Sequence, residues 1–198
     1  MDPRPLSDRF IQALEFATSA HEGQARKGSD IPYVAHLLGV TAIVLEHGGD
    51  EDQAIAALLH DAIEDQGGDS MRQQIRERFG GRVTTMVDDC TDADVQPKPP
   101  WKERKLAYVA HISEAHADSL LVSMADKLHN STAILRDFQR IGPTVFERFS
   151  AGPEDTLWYY RSLVDAFDER GLEGEARALL EELRGVVGEL ERTVALTE

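Results

Sequence analysis

Cysteine is almost missing from this sequence, since Cys90 is the only one. A single cysteine excludes an internal disulfide and a thiolate-based zinc cluster, so any metal site must use histidine and carboxylate ligands. No apolar run approaches the roughly 18 residues that a membrane helix needs, and the start of the chain lacks an apolar signal core. We therefore expect a cytoplasmic protein with no membrane partner.

Positive charge is also scarce. The chain has 21 Lys and Arg against 36 Asp and Glu, for a formal net charge of −15. Such a field repels nucleic acids and anionic membranes, which argues against a nucleic-acid-binding protein. An anionic substrate must then be held by a local basic cluster or by a metal ion.

Alternating β-branched runs are nearly absent. The 8 prolines all lie outside residues 33–96 and 101–142, so helices can run unbroken through these two stretches. The pattern predicts an all-α fold of about nine or ten helices in one domain spanning residues 1–198, with a surface loop at 92–100. Apolar spacing and stop signals place the helices at residues 7–22, 37–47, 54–65, 71–79, 83–90, 101–116, 118–138, 153–170 and 173–194. The last helix either packs on its own domain or contributes to a homodimer.

Four ionisable residues crowd the end of the third predicted helix. His60 and Glu64 are spaced i,i+4, as are Asp61 and Asp65, so helical geometry places all four on one side. Like charges at this spacing repel, whereas a bound divalent cation would convert the repulsion into ligation. A solvated helix end is the alternative interpretation.

Two further residues strengthen the metal hypothesis. His36 stands at a predicted helix entrance, and Asp126 lies within an apolar stretch, where a charged residue needs a partner. Together with His60 and Asp61 they make a set of two imidazoles and two carboxylates, which favours Mn²⁺, Fe²⁺ or Zn²⁺ over Mg²⁺ and Ca²⁺. Asn130, at i+4 from Asp126, shares its helical face. We interpret His21, His47, His111, His116 and His129 as structural or surface residues.

Three strings in order carry a family resemblance: GQARKG with IPYVAH (residues 23–36), LLHDAIED (58–65) and ADKLHN (125–130). With them, the chain resembles the HD-domain hydrolases of the Rel/SpoT alarmone family, especially the stand-alone small alarmone hydrolases. The resemblance covers residues 21–138 and extends less distinctively through residues 158–160.

The resemblance implies a helical, metal-dependent enzyme that hydrolyses the 3′-pyrophosphate of guanosine alarmones to GDP or GTP plus pyrophosphate. It implies one Mn²⁺ per chain and no synthetase activity. It assigns the metal ligands as His36, His60, Asp61 and Asp126. It assigns water activation and proton handling to Glu64 and Asp65, the ribose-phosphate region to Asn130, and the nucleotide to Arg26 and Lys27.

Other basic residues are candidates for holding substrate phosphates, principally Lys102 and Arg161, with Lys98, Arg104 and Lys105 also considered. Lys102 and Lys105 are spaced i,i+3 and could face one cleft, and a solvated helix face is the alternative interpretation. The chain departs from the family at Thr132, where relatives often have a basic residue. Three alternatives stay open: a phosphohydrolase of adenosine alarmones, one acting on NADPH, and a catalytically idle nucleotide sensor with a structural metal.

Overall fold

A computed structural model describes residues 6–95 and 97–197, which form ten α-helices, one 3₁₀ helix and no strand. Predictions that fall on residues 1–5, 96 and 198 lie outside this range. The all-α prediction is confirmed. The α-helices are α1 Asp8–Ala20, α2 Val34–Glu46, α3 Glu51–Leu59, α4 Ala62–Gln66, α5 Gly68–Phe79, α6 Gly81–Cys90, α7 Trp101–His111, α8 Ala117–Ile141, α9 Pro153–Asp168 and α10 Gly174–Ala195, and the 3₁₀ helix, which the sequence did not predict, is Gly142–Arg148.

Helix α8 is the centre of the structure. It packs against α2, α3, α6, α9 and α10. Residues 119–126 are buried at every position, because neighbouring helices surround this half of α8 on all sides. Asp126 is therefore a carboxylate in the protein interior, and burying it requires compensating partners.

The sequence predicts one continuous third helix over residues 54–65, and this is wrong in one respect, because the structure has two helices there. Helix α3 ends at Leu59 and α4 begins at Ala62, with His60 and Asp61 between them. Asp61 has φ −99° and ψ −4°, which departs from regular helical geometry. The break interrupts the regular helix between α3 and α4, so the uniform i,i+4 spacing assumed from the sequence does not describe how these side chains are placed.

The last helix packs on its own chain. Its apolar face contacts α8 and α9, and Leu179, Leu183 and Leu190 are fully buried there. Of the predicted apolar stripe, Val186 is only half-buried. A homodimer stays a prediction from the sequence.

Among the described residues, no helix is both long and apolar enough to cross a membrane.

Candidate active site

Two histidines and an aspartate from different parts of the chain meet beneath a cleft. His36 comes from the first turn of α2, His60 from the α3–α4 break, and Asp126 from α8. The Nε2 atoms of the two histidines are 3.2 Å apart, and Asp126 Oδ1 lies 3.2 Å from His36 Nε2 and 3.5 Å from His60 Nε2. All three side chains are buried, and their ligand atoms lie within 4.8 Å of one another.

Asp61 joins this cluster from the side of the cleft. Its Oδ2 lies 3.0 Å from His60 Nε2 and 3.6 Å from His36 Nε2. The Tyr33 hydroxyl donates a hydrogen bond of 2.5 Å to the same oxygen. The structure therefore brings together all four residues predicted as ligands, with Asp61 the most accessible of them.

Buried opposite charges dominate the electrostatics of the cluster. Burial disfavours the charged form of each group, but the adjacent Asp61 and Asp126 carboxylates raise the pKa of His60 well above 6.5. Burial likewise opposes ionisation of Asp61, yet His60 and His36 hold its pKa well below the usual range. The carboxylates thus remain charged at neutral pH and attract a cation.

Each of the three most buried groups is also fixed on its outer side. His60 Nδ1 lies 2.8 Å from the Ala57 carbonyl oxygen, and His36 Nδ1 lies 2.9 Å from His129 Nδ1. Lys127 Nζ donates to Asp126 Oδ2 at 2.7 Å, while Oδ1 faces the two histidines. Outer partners of this kind orient metal ligands, so the residues present fit a divalent metal ion.

The Lys127–Asp126 pair is a buried ion pair. Burial opposes both charges, but the Lys127 ammonium and the two histidines hold the pKa of Asp126 well below its usual range. Asp126 in turn raises the pKa of Lys127 well above its usual value. Lys127 therefore compensates the charge that Asp126 brings into the interior.

A cleft of about 680 Å³ opens above the cluster, and Glu64 and Asp65 line it. Glu64 Oε1 accepts a hydrogen bond from Lys98 Nζ at 2.7 Å. Asp65 Oδ2 accepts one from Gln24 Nε2 at 2.9 Å. Two carboxylates with different partners thus line the cleft above the cluster of predicted ligands. This arrangement allows them different roles in proton transfer.

Asn130 connects the predicted ligand Asp126 to Arg26 of the cleft wall. Its Nδ2 donates to Asp126 Oδ1 at 2.5 Å, and its Oδ1 accepts from Arg26 at 2.7 Å. Arg26 also lies over the Tyr33 ring, with its guanidinium carbon 5.8 Å from the ring centre. The Asn130 amide therefore holds the guanidinium of Arg26 next to the predicted ligands.

Within the described part of the chain, the walls of this cleft carry eight basic side chains beside six carboxylates, those of Asp61, Glu64, Asp65, Asp92, Asp126 and Asp137. The basic side chains that line it are Arg26, Lys27, Lys98, Arg104, Lys105, Lys127, Arg136 and Arg148. This local cluster opposes the net charge of −15 of the chain. These basic side chains can hold an anionic ligand here despite the negative overall charge.

Two residues predicted to bind substrate lie elsewhere. Lys102 is absent from the cleft lining, since its ammonium lies over the Trp158 ring and pairs with Asp155 at 2.7 Å. Arg161 is exposed on α9 and donates to Glu191 of α10 at 2.7 Å. Helices α7 and α9 direct these two side chains towards other surface groups, and their contact with substrate stays a prediction from the sequence.

Three residues that contact the predicted ligands were not identified from the sequence. They are Tyr33, Lys127 and His129, which contact Asp61, Asp126 and His36 respectively. Each lies within a motif string, beside or near a predicted ligand, and that proximity is the only signal the sequence offered. Thr132 faces a second cavity, between α8 and α10, whereas Arg136, one turn later, lines the cleft. A basic side chain is therefore present close to the point where Thr132 interrupts the family pattern.

Comparisons with known proteins identify relatives of this chain. Residues 13–156 match the HD-domain family. The guanosine-3′,5′-bis(diphosphate) 3′-pyrophosphohydrolase MESH1 of Xenopus tropicalis is 38% identical over 137 residues, covering 68% of this chain and 72% of that protein. MESH1 of Drosophila melanogaster is 33% identical over 141 residues, covering 70% and 74%. A solved structure of a metazoan ortholog of SpoT that hydrolyses ppGpp has a TM-score of 0.72 and 28% identity, covering 91% of this chain and 97% of that one.

Proposed function

The chain belongs to the HD-domain family, and from this premise we propose that it is a metal-dependent guanosine-3′,5′-bis(diphosphate) 3′-pyrophosphohydrolase. The observation that carries the proposal is the convergence of His36, His60 and Asp126 beneath a basic cleft. The similarity to MESH1, over most of that protein's length, supports the substrate. The products are GDP, or GTP from the pentaphosphate, and pyrophosphate.

We assign the metal as one Mn²⁺ per chain, held by His36, His60, Asp61 and Asp126. Two imidazoles with two carboxylates suit Mn²⁺, Fe²⁺ or Zn²⁺, and the family resemblance favours Mn²⁺. When bound, the ion supplies positive charge to the phosphoryl oxygens and lowers the pKa of water. Cytoplasmic location and the absence of nucleic-acid and membrane partners stay predictions from the sequence.

The protein's own groups handle two protons in this reaction. Glu64 accepts the proton of the attacking water at a carboxylate oxygen, as the water oxygen bonds to phosphorus. The bond between phosphorus and the ribose 3′-oxygen breaks as Asp65, in its protonated form, gives its proton to that oxygen, and the proton taken up by Glu64 then returns Asp65 to that form. Because Gln24 and Lys98 hold the two carboxylates at different places along the cleft, each can face one side of the reacting phosphorus.

The remaining polar residues of the cleft bind and orient the nucleotide. Arg26 and Lys27 stand on the segment that leads into α2, so a single stretch of chain carries both nucleotide contacts and the ligand His36. Asn130 orients the ribose-phosphate region while its amide remains linked to Asp126. A planar guanidinium at position 26 can stack on a base or clamp a phosphate.

Product identity tests the proposal. We expect purified protein with Mn²⁺ to convert guanosine-3′,5′-bis(diphosphate) to equal amounts of GDP and pyrophosphate, measured by anion-exchange chromatography and phosphorus NMR. Chelation should stop turnover and added Mn²⁺ should restore it. Orthophosphate as the only phosphorus product, or no turnover, would contradict the proposal. A higher kcat/KM for an adenosine alarmone or for NADPH would overturn the guanosine assignment.

Metal affinity should rise with pH. His60 must present an unprotonated Nε2 to a metal ion, but the neighbouring carboxylates raise its pKa well above 6.5, so a proton competes with the metal near neutrality. Binding then releases a proton, and affinity increases by up to about tenfold for each pH unit until the pH exceeds the pKa of His60. Calorimetry at several pH values, in buffers with different ionisation enthalpies, measures both quantities. An affinity independent of pH, without proton release, would contradict this expectation.

A further inference from the structure

His129 lines the cleft and contacts His36 at the ring nitrogen that does not face the other predicted ligands. It is three residues after Asp126 on α8, and its Nδ1 is 2.9 Å from His36 Nδ1. The centres of the two rings are 4.8 Å apart, with 54° between their planes. The two imidazoles therefore share one hydrogen bond that joins α8 to α2.

The direction of this hydrogen bond follows from the other nitrogen of His36. His36 Nε2 faces the cluster, 3.2 Å from Asp126 Oδ1, and must offer a lone pair there to bind a metal. A neutral imidazole carries its single N–H hydrogen on the opposite nitrogen, so His36 Nδ1 donates and His129 Nδ1 accepts. An acceptor at His129 thus selects the tautomer of His36 that can bind a metal.

His36 differs from His60 in the source of this support. The Nδ1 atom of His60 lies against a main-chain oxygen, that of Ala57 in the last turn of α3. The Nδ1 atom of His36 has the side chain of His129 as its partner, and that side chain comes from another helix. The orientation of His36 is therefore open to change by substitution, whereas that of His60 is set by the backbone.

Gly39 gives an independent indication that this contact has a defined geometry. It lies inside α2, and its φ is not positive, so its backbone does not require glycine. In a helix interior, glycine is less favourable than alanine. A methyl group at Gly39 would overlap the His129 ring at Nε2 and Cδ2. The missing side chain makes the space that lets His129 lie against α2 and reach His36.

We propose that His129 is a positioning residue that holds His36 in its metal-binding tautomer and orientation, with Gly39 providing the space for it. This inference rests on the proposed metal site and adds a determinant of its affinity. Substituting the outer partner of a metal-binding histidine typically lowers metal affinity by about 10- to 100-fold.

Two substitutions of His129 separate the hydrogen bond from the volume of the ring. His129→Phe keeps an aromatic ring but has no acceptor, and we expect it to weaken Mn²⁺ binding by about 10- to 100-fold in calorimetry. His129→Asn places its Oδ1 at the position of Nδ1, so it should bind Mn²⁺ within a few-fold of the wild type. If His129 served only to fill space, His129→Phe would bind normally and His129→Asn would bind poorly, and that result would overturn the proposal.

Gly39→Ala tests the same contact from the opposite helix. The added methyl group should displace the His129 ring and weaken Mn²⁺ binding, although alanine is the better helix former. In the His129→Asn background the smaller side chain leaves room for the methyl group, so Gly39→Ala should cause little further loss. Equal losses in both backgrounds would contradict the proposed contact.

A control and the wild type complete the experiment. His111→Phe changes a histidine of α7 that is paired with Asp89 and does not line the cleft, and it should bind Mn²⁺ as the wild type does. Melting temperatures in chelator should show that each variant folds. No Mn²⁺ binding by the wild type would overturn the metal site itself, whereas normal binding by both wild type and His129→Phe would overturn only the role of His129.

Discussion

Replacing Glu64 with glutamine should lower kcat for pyrophosphate release by about 10²- to 10⁴-fold while leaving Mn²⁺ binding nearly unchanged. The amide has the size of the carboxylate but cannot accept a proton from water. Glu64 contacts Lys98 and the Asp92 backbone and is not among the clustered ligand atoms, so its loss should not remove the ion. Steady-state kinetics and metal analysis of the same preparation measure the two effects.

Glu77 on α5 provides a matched control for this substitution. It is exposed and its side chain contacts only Gln73 among the described side-chain hydrogen bonds, so Glu77→Gln should retain wild-type kinetics. Wild-type kcat in Glu64→Gln would remove Glu64 from the proposed mechanism. Loss of Mn²⁺ from Glu64→Gln would instead make Glu64 a metal ligand.

Replacing Asp126 with alanine should abolish Mn²⁺ binding and also destabilise the fold by about 3–5 kcal/mol. The side chain of Lys127 is only 12% exposed and pairs with Asp126 at 2.7 Å, so the substitution leaves an ammonium in the interior without its carboxylate. Removing one member of a buried ion pair costs more than the pair itself contributes. Urea unfolding in the presence of chelator measures the stability loss apart from any effect of metal.

The double substitution Asp126→Ala with Lys127→Met distinguishes the two roles of Asp126. Without the buried ammonium, most of the lost stability should return, because methionine fills the space with an apolar side chain. Mn²⁺ binding should remain absent, because the ligand oxygen is missing. A single variant as stable as the wild type, or one that still binds Mn²⁺ with wild-type affinity, would contradict this account of Asp126.

Local signals in the sequence were sufficient for the helices and for the chemistry of the ligand set. Apolar spacing and glycine stops located most helices, with ends displaced by a few residues, as at α7, which ends at His111 rather than near residue 116. The apolar surroundings of Asp126 correctly indicated a buried carboxylate that needs a partner. These features depend on neighbours within one or two turns, which is the range that a sequence pattern reports.

Local spacing does not report the direction of a side chain that depends on distant contacts. Lys102 and Lys105 are one helical turn apart, yet Lys105 lines the cleft and pairs with Asp92, while Lys102 pairs with Asp155 on the outside. Arg161 is directed to Glu191 only because α10 packs beside α9. None of these acceptors is near the basic residue in sequence, so no periodicity could identify them.

The sequence alone determined an all-helical chain that carries two imidazoles and two carboxylates suited to a divalent metal, together with the motif strings that place it near the alarmone hydrolases. Only the tertiary structure decided that α2, the α3–α4 break and α8 meet at one point. There the ligand atoms of His36, His60 and Asp126 lie within 4.8 Å of one another. The tertiary structure also decided which outer groups hold them, with His129 behind His36 and Lys127 beside Asp126. The physical reason is that helix formation follows local periodicity, whereas the arrangement of helices follows from burying apolar faces contributed by the whole chain.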